Sequence, residues 1–205
     1  MPIVVIIDYG MGNLRSVEKI IFRLGVEPLI TNNLDEIKKA TKLILPGVGH
    51  FSNGIKNLKS SGIYNILNKK VLIERIPILG ICLGMQLMAK YSQEGNKEGL
   101  GWIDAEVVRF SVSDNLKYKV PHMGWNNLVK NKNSPLFNGL KQNAMFYFVH
   151  SYHMKCNNKT DILSTSEYDY PFVSSIQKDN LYGTQFHPEK SHDSGLIILK
   201  NFIDL

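Results

Sequence analysis

Pro77-Ile78-Leu79-Gly80-Ile81-Cys82-Leu83-Gly84-Met85-Gln86 is an apolar strand that turns through Gly-x-Cys-x-Gly into an apolar, helix-favouring stretch. The pattern has the form of a nucleophile elbow with cysteine in the serine position. A residue at a tight strand-to-helix turn takes up a strained backbone, and flanking glycines remove side chains that would collide there. The spacing predicts a strand over 76–81 and a helix from Leu83 to about Tyr91. The Cys82 thiol then lies over a helix N-terminus, whose partial positive charge favours thiolate. A buried strand cysteine is ordinarily a small hydrophobe. Against that plainer reading, Gly80 and Gly84 weaken a strand–helix junction and bring no packing gain.

The elbow belongs to a longer alternation. Upstream, Ile3 to Asp8 is a continuous apolar strand, as in a parallel sheet covered on both faces. Asn13 is placed to cap a helix from Leu14 to about Leu24, stopped by Gly25. A strand over 26–30, a helix over 34–40 behind Asn33, a strand over 42–45 and helical segments over 55–59 and 63–75 follow. Downstream the texture changes: strands are expected at 105–110, 144–149, 162–165, 173–177 and 181–186, then a helix from about Ser194 to Ile203. This predicts an α/β fold, a central mostly parallel sheet flanked by helices with a β-rich extension. With no repeat, low-complexity tract or linker, residues 1–205 are expected to form a single domain.

About a hundred residues after the elbow stands Gln185-Phe186-His187-Pro188-Glu189. A lone histidine is more often structural than catalytic. Here Pro188 stiffens the segment in an extended form, and positions two apart then point the same way. Glu189 is thereby expected beside His187, holding its far ring nitrogen while the near one serves Cys82. The loop Pro46-Gly47-Val48-Gly49-His50 ends a strand, where open α/β sheets place their sites. It reads as an oxyanion hole or as an ordinary glycine-rich turn; the spacing and Lys of a phosphate loop are absent. Gly10 and Gly12 give a partial dinucleotide fingerprint, but position 15 is Arg15, so no nucleotide cofactor is expected. His122, His150 and His153 lack metal-ligand spacing and read as surface or satisfied core residues, so no metal is expected.

Composition excludes other classes. The 205 residues are 43% hydrophobic and 20% charged, and no apolar run approaches the roughly 20 residues a membrane span requires. The N-terminus lacks a basic signal-peptide region, so a cytoplasmic location is expected. The net charge of +6 is scattered as lysine, without an Arg stripe or aromatic platform for nucleic acid. Cys82 and Cys156 make no disulfide framework, and Cys156 in its polar turn reads as a bystander thiol.

The elbow together with Gln185-Phe186-His187-Pro188-Glu189 resembles the triad-type, class I glutamine amidotransferases. Four further segments, 8–14, 45–49, 122–126 and 148–152, narrow the similarity to the glutaminase subunits of imidazole glycerol phosphate synthases, over residues 3–204. The resemblance implies a flavodoxin-like core and glutamine hydrolysis by Cys82, His187 and Glu189 through a Cys82 γ-glutamyl thioester. It implies oxyanion contacts from Gly47, Val48, Gly49 and Leu83, and substrate contacts from Gln86, Tyr147, His150 and Ser151. No cofactor is implied. Ammonia would pass to a (β/α)₈ synthase subunit in a heterodimer, faced by Asn13, Met123, Trp125, Tyr147 and Lys190. His50 and His153 depart from the family's usual residues. Close paralogues serve amidation of bacterial surface sugars, so that pathway stays open beside histidine biosynthesis. A cysteine peptidase with the same elbow and a non-catalytic binding module are the more distant alternatives.

Overall fold

Strand β1 (Val4–Ile7) is buried along its whole length because it lies between β2 (Leu29–Thr31) and β3 (Lys42–Gly47). The computed structural model describes residues 2–205. From β3 the sheet continues through β4 (Ile78–Cys82) to β14 (Leu181–Thr184), and every neighbouring pair in this half is parallel. Parallel strands covered on both faces need apolar side chains at successive positions. Val5, Ile7, Leu43 and Leu45 pack to one side, with Phe51, Ile55 and Leu58 of α3 (Phe51–Ser60) and Ile63 and Leu67 of α4 (Ile63–Asn68). Val4, Ile6, Ile44, Leu79 and Ile81 pack to the other, with Val17 and Ile21 of α1 (Leu14–Arg23) and Ile198, Leu199 and Phe202 of α6 (His192–Asp204).

The expected helix caps are in place. Asn13 accepts from the Ser16 backbone N–H, and Asn33 accepts from that of Asp35 at the start of α2 (Leu34–Lys39). The second strand is shorter than expected: only residues 29–31 come into register with 5–7, and Pro28 just before them has no N–H to donate. The helix expected over 63–75 ends at Asn68 and continues as a wider π turn over Lys69–Ile73.

The elbow helix departs most from expectation. It is the single turn α5 (Leu83–Gln86), and the chain then becomes strand β5 (Ala89–Ser92). Residues 99–103 capture the backbone that would have continued the helix: Leu100 N–H donates to Leu87 O at 2.8 Å, and Trp102 N–H to Met88 O at 2.9 Å. Gly99 permits this approach, because a Cβ there would meet the Ala89 and Leu87 carbonyls.

Beyond β14 the sheet turns antiparallel through β13 (Tyr170–Lys178) and β11 (Tyr152–Cys156) to β7 (Ile103–Arg109). β5 and β6 (Lys97–Glu98) follow at its edge, while β12 (Ile162–Tyr168) and β9 (Val129–Lys130) branch from β13. This is the β-rich extension, and β5, β6, β9 and β11 within it are strands the sequence did not announce. β8 (His122–Asn127) and β11 carry too many polar residues to read as strands. β8 and β10 (Met145–His150) form a separate antiparallel ribbon. Its inner side buries His122, Phe146, Phe148 and His150; its outer side presents Met123, Trp125, Tyr147 and Val149. Among the described residues no helix is long and apolar enough to cross a membrane.

Candidate active site

Cys82 ends β4 with φ 53° and ψ −109°, the strained conformation that the flanking glycines anticipate. The glycines admit close packing. A Cβ at Gly80 would lie 2.7 Å from the Gly84 carbonyl, and one at Gly84 would collide with the Leu45 carbonyl oxygen. Because α5 is one turn, it offers the thiol its first free N–H groups but not the summed dipole of a long helix.

β14 leads into the segment that carries His187. Phe186 is fully buried, its ring centroid 4.3 Å from that of Phe146. His187 N–H donates to Tyr147 O at 2.9 Å, and Ser191 Oγ donates to His187 O at 2.6 Å. Glu189 reaches His187 by a different local geometry from that expected. His187 is extended, but Pro188 starts a 3₁₀ turn over Pro188–Lys190, since proline's fixed φ suits the first position of a helical turn. His187 Nδ1 lies 2.7 Å from Glu189 Oε1, both side chains only 2% exposed. Nε2 of His187 is buried and makes no hydrogen bond of ordinary geometry, yet the Cys82 side chain is near enough to act on it. Burial lowers the imidazolium pKa, but the charge of Cys82 and the bond to Glu189 outweigh burial and push it up to about 10.

A cavity of about 260 Å³ opens over the sulfur. Val48, Gly49 and Leu83 line it, and of the expected substrate residues so do Gln86, His150 and Ser151. Gly47 does not: it stands opposite Cys82 in the β3–β4 register, and a Cβ there would crowd Leu83 and the Tyr9 hydroxyl. Gln86 uses both amide hydrogens internally, donating to Tyr152 O and to Gln185 Oε1, each at 2.9 Å. What it offers the cavity is Oε1. His150 is a wall of the cavity with both nitrogens engaged. Burial holds it and His122 neutral, His122 down to about 4, so His150 Nδ1–H donates to Tyr152 O and Nε2 accepts from His122.

Tyr147 does not line the cavity. Its ring lies under Lys190 Nζ, 5.7 Å away, and edge-on to Trp125 at 6.0 Å. Trp125 stacks on His192 at 5.1 Å, and Met123 is 66% exposed on the same ribbon face. Asn13 is exposed at the start of α1, which packs on the Pro188–Lys190 turn. The expected partner residues thus gather beside the catalytic segment. The Gly10–Gly12 loop packs on the Pro46–Gly49 loop, where a Cβ at Gly12 would lie 3.2 Å from the Gly47 Cα. His50 is the N-cap of α3, its Nδ1 accepting from Ser52. Burial raises the Cys156 thiol to about 12, which leaves it inert at neutral pH.

Sequence reasoning missed two side chains. Glu94 lines the cavity and accepts from Phe51 N–H at 2.8 Å; nothing in its polar turn announced it. Gln185 donates to Cys82 Sγ at 3.6 Å, and its place two residues before His187, in an extended segment, was the available signal.

The match to known proteins covers nearly the whole chain. The family model described as glutamine amidotransferase class-I matches residues 5–205. A relative from Methanococcus maripaludis, imidazole glycerol phosphate synthase subunit HisH 2, is 52% identical over 98% of each chain. One from Campylobacter jejuni, subunit HisH 1, is 47% identical over 98% of this chain and 100% of the relative. Among solved structures, one described as a glutamine amidotransferase superposes with a TM-score of 0.74 at 20% identity, covering 98% of this chain and 97% of the other. PurLQS from Thermotoga maritima gives 0.73 at 18% identity, covering 99% and 98%. These two share the fold. The elbow, the buried His–Glu pair and the family match converge: this chain belongs to the class-I glutamine amidotransferases, enzymes that take ammonia from glutamine.

Proposed function

We propose that residues 1–205 act as one glutaminase domain, the subunit of an imidazole glycerol phosphate synthase that supplies ammonia in histidine biosynthesis. One observation carries the chemistry: a buried imidazole, held by Glu189 at 2.7 Å, lies close enough to the Cys82 side chain in its strained turn for the two groups to interact. Cys82 Sγ attacks the side-chain amide carbon of glutamine, and the amide oxygen becomes an oxyanion beside the backbone N–H groups of Val48, Gly49 and Leu83. The imidazolium gives its Nε2 proton to the departing nitrogen. The C–N bond breaks, ammonia leaves and a γ-glutamyl thioester remains. Neutral His187 then takes a proton from water, whose oxygen displaces the sulfur as glutamate forms.

The cavity, at about 260 Å³, suits one amino acid rather than a peptide segment. Glu94 is the carboxylate available to the substrate's ammonium, and Gln86 Oε1 is a second acceptor. The partner is a (β/α)₈ synthase subunit that docks on Met123, Trp125, Tyr147 and Lys190, next to the base. This chemistry requires neither membrane nor nucleic acid and suits the cytoplasm.

Cys82→Ala should abolish glutamate release from glutamine while the fold persists. Release that continues in that variant removes the mechanism. One second reading stands beside it, a paralogue supplying a surface-sugar amidotransferase, since the glutaminase chemistry would be the same and only the consumer of ammonia would differ. Deleting the gene in a strain without a duplicate separates them: histidine auxotrophy supports the first, and prototrophy with altered surface sugars the second.

A further inference from the structure

We propose that Gln185 is a hydrogen-bond donor built to stabilise the Cys82 thiolate, with its amide orientation locked by a relay that ends on a backbone carbonyl. The inference rests on Cys82 being the nucleophile. It adds a donor that lies outside the Cys–His–Glu triad.

The relay has a fixed polarity. The Tyr152 carbonyl only accepts, so the Gln86 amide presents Nε2 to it at 2.9 Å. The second hydrogen on that nitrogen points to Gln185, 2.9 Å away, and must meet Oε1. With Oε1 committed to Gln86, the other end of the Gln185 amide is a donor, and it faces Cys82 Sγ at 3.6 Å. His150 Nδ1–H donates to the same Tyr152 oxygen at 2.8 Å, adding a second anchor at the far end. Reversing either amide would set oxygen against oxygen at the carbonyl or nitrogen against nitrogen between the glutamines.

The donor is also held rigidly and out of water. Gln185 is fully buried. Its backbone N–H is tied to Ser174 O at 2.9 Å, and Thr184 Oγ1 donates to Phe186 O just beyond it. Among the described residues no other side-chain group hydrogen-bonds to the Cys82 sulfur with ordinary geometry. A buried amide donor aimed at sulfur favours the charged form over the neutral thiol, since hydrogen bonds to charged groups are the stronger ones. Because α5 is a single turn, this side-chain donor supplies part of what a longer helix would have given.

The test is the pH profile of alkylation of the free chain by iodoacetamide, read at the Cys82 peptide by mass spectrometry so that Cys156 does not contribute. Gln185→Glu is nearly isosteric and still accepts from Gln86, but it turns an acceptor toward the sulfur. Gln185→Leu removes both bonds. In both variants the rate at pH 7 should fall roughly tenfold and the profile should move to higher pH, the size expected for losing a bond to a charged group. The rates are compared at a temperature where each variant is folded by circular dichroism, so the result from Gln185→Glu survives even if Gln185→Leu folds poorly. A native profile in Gln185→Glu overturns the proposal. Iodoacetamide needs no glutamine site, so failure here is distinct from failure of the glutaminase reading, which the Cys82→Ala assay reports.

Discussion

Gly84 is the residue at which substitution meets the hardest obstacle. Its Cα abuts the Leu45 carbonyl, so Gly84→Ala must drive β3 and the elbow apart. Overpacking of this kind costs roughly 1–3 kcal/mol, and this site should lie at or above the upper end, read as a lower melting temperature together with lost glutaminase activity. His187 offers a second prediction. Its imidazolium is raised to about 10 chiefly because Cys82 offsets the burial penalty. A group raised in the folded state adds stability in full below its ordinary value near 6.5, and that stability disappears as pH climbs through 10. An NMR titration of His187 should therefore place its midpoint near 10 in the native chain and well lower in Cys82→Ser. Equal midpoints would show that the two groups do not interact. Cys82, His187 and Glu189 were legible in the sequence because each combines reactive chemistry with a restricting neighbour, glycine or proline. Glu94 was not, because a glutamate in a polar turn is unremarkable until the chain is folded, and for Gln185 the one signal was its place two residues before His187.

At the scale of elements, the helices were legible wherever a cap and an apolar face coincide. Asn13 and Asn33 mark the starts of α1 and α2 to the residue. Asn33→Ala should cost about 1 kcal/mol of unfolding free energy in denaturant and leave glutamine hydrolysis intact, since the cap is remote from the cavity. The elbow helix shows where local reading fails. Leu83 to Tyr91 has helix-forming residues, but backbone bonds from 99–103, nine or more positions away, convert its second half to strand. β8 was hidden for a related reason. Its His122-Met123-Gly124-Trp125-Asn126-Asn127 places histidine inward and methionine and tryptophan outward, the reverse of the usual alternation. A ribbon that turns its large apolar side chains outward is suited to a partner, and inward histidines need an aromatic core of their own.

That core matters for the whole molecule. Phe110 packs against His122, His150 and His153 together with Phe172 and Tyr170. Burial lowers all three histidines, His122 to about 4. A histidine lowered in the folded state leaves the unfolded chain binding more protons between its ordinary value near 6.5 and 4, so stability held above 6.5 is lost as pH falls. Urea unfolding from pH 7 to 4.5 should show this decline, and His122→Phe should flatten it even if it is less stable at pH 7. An unchanged slope would remove the histidine core as the cause. On the opposite side of the ribbon, Trp125→Ala should leave the melting temperature and the free chain's glutaminase rate near native. It should weaken capture by a (β/α)₈ synthase subunit about tenfold or more, as loss of a central aromatic contact does. Native capture would move the docking face elsewhere. The most direct measurement is exposure of the full chain to a chloroketone analogue of glutamine, followed by peptide mass spectrometry. One equivalent on Cys82, blocked by excess glutamine and accompanied by loss of glutamate release, is the expected result; labelling confined to Cys156, or hydrolysis that survives labelling of Cys82, would contradict it.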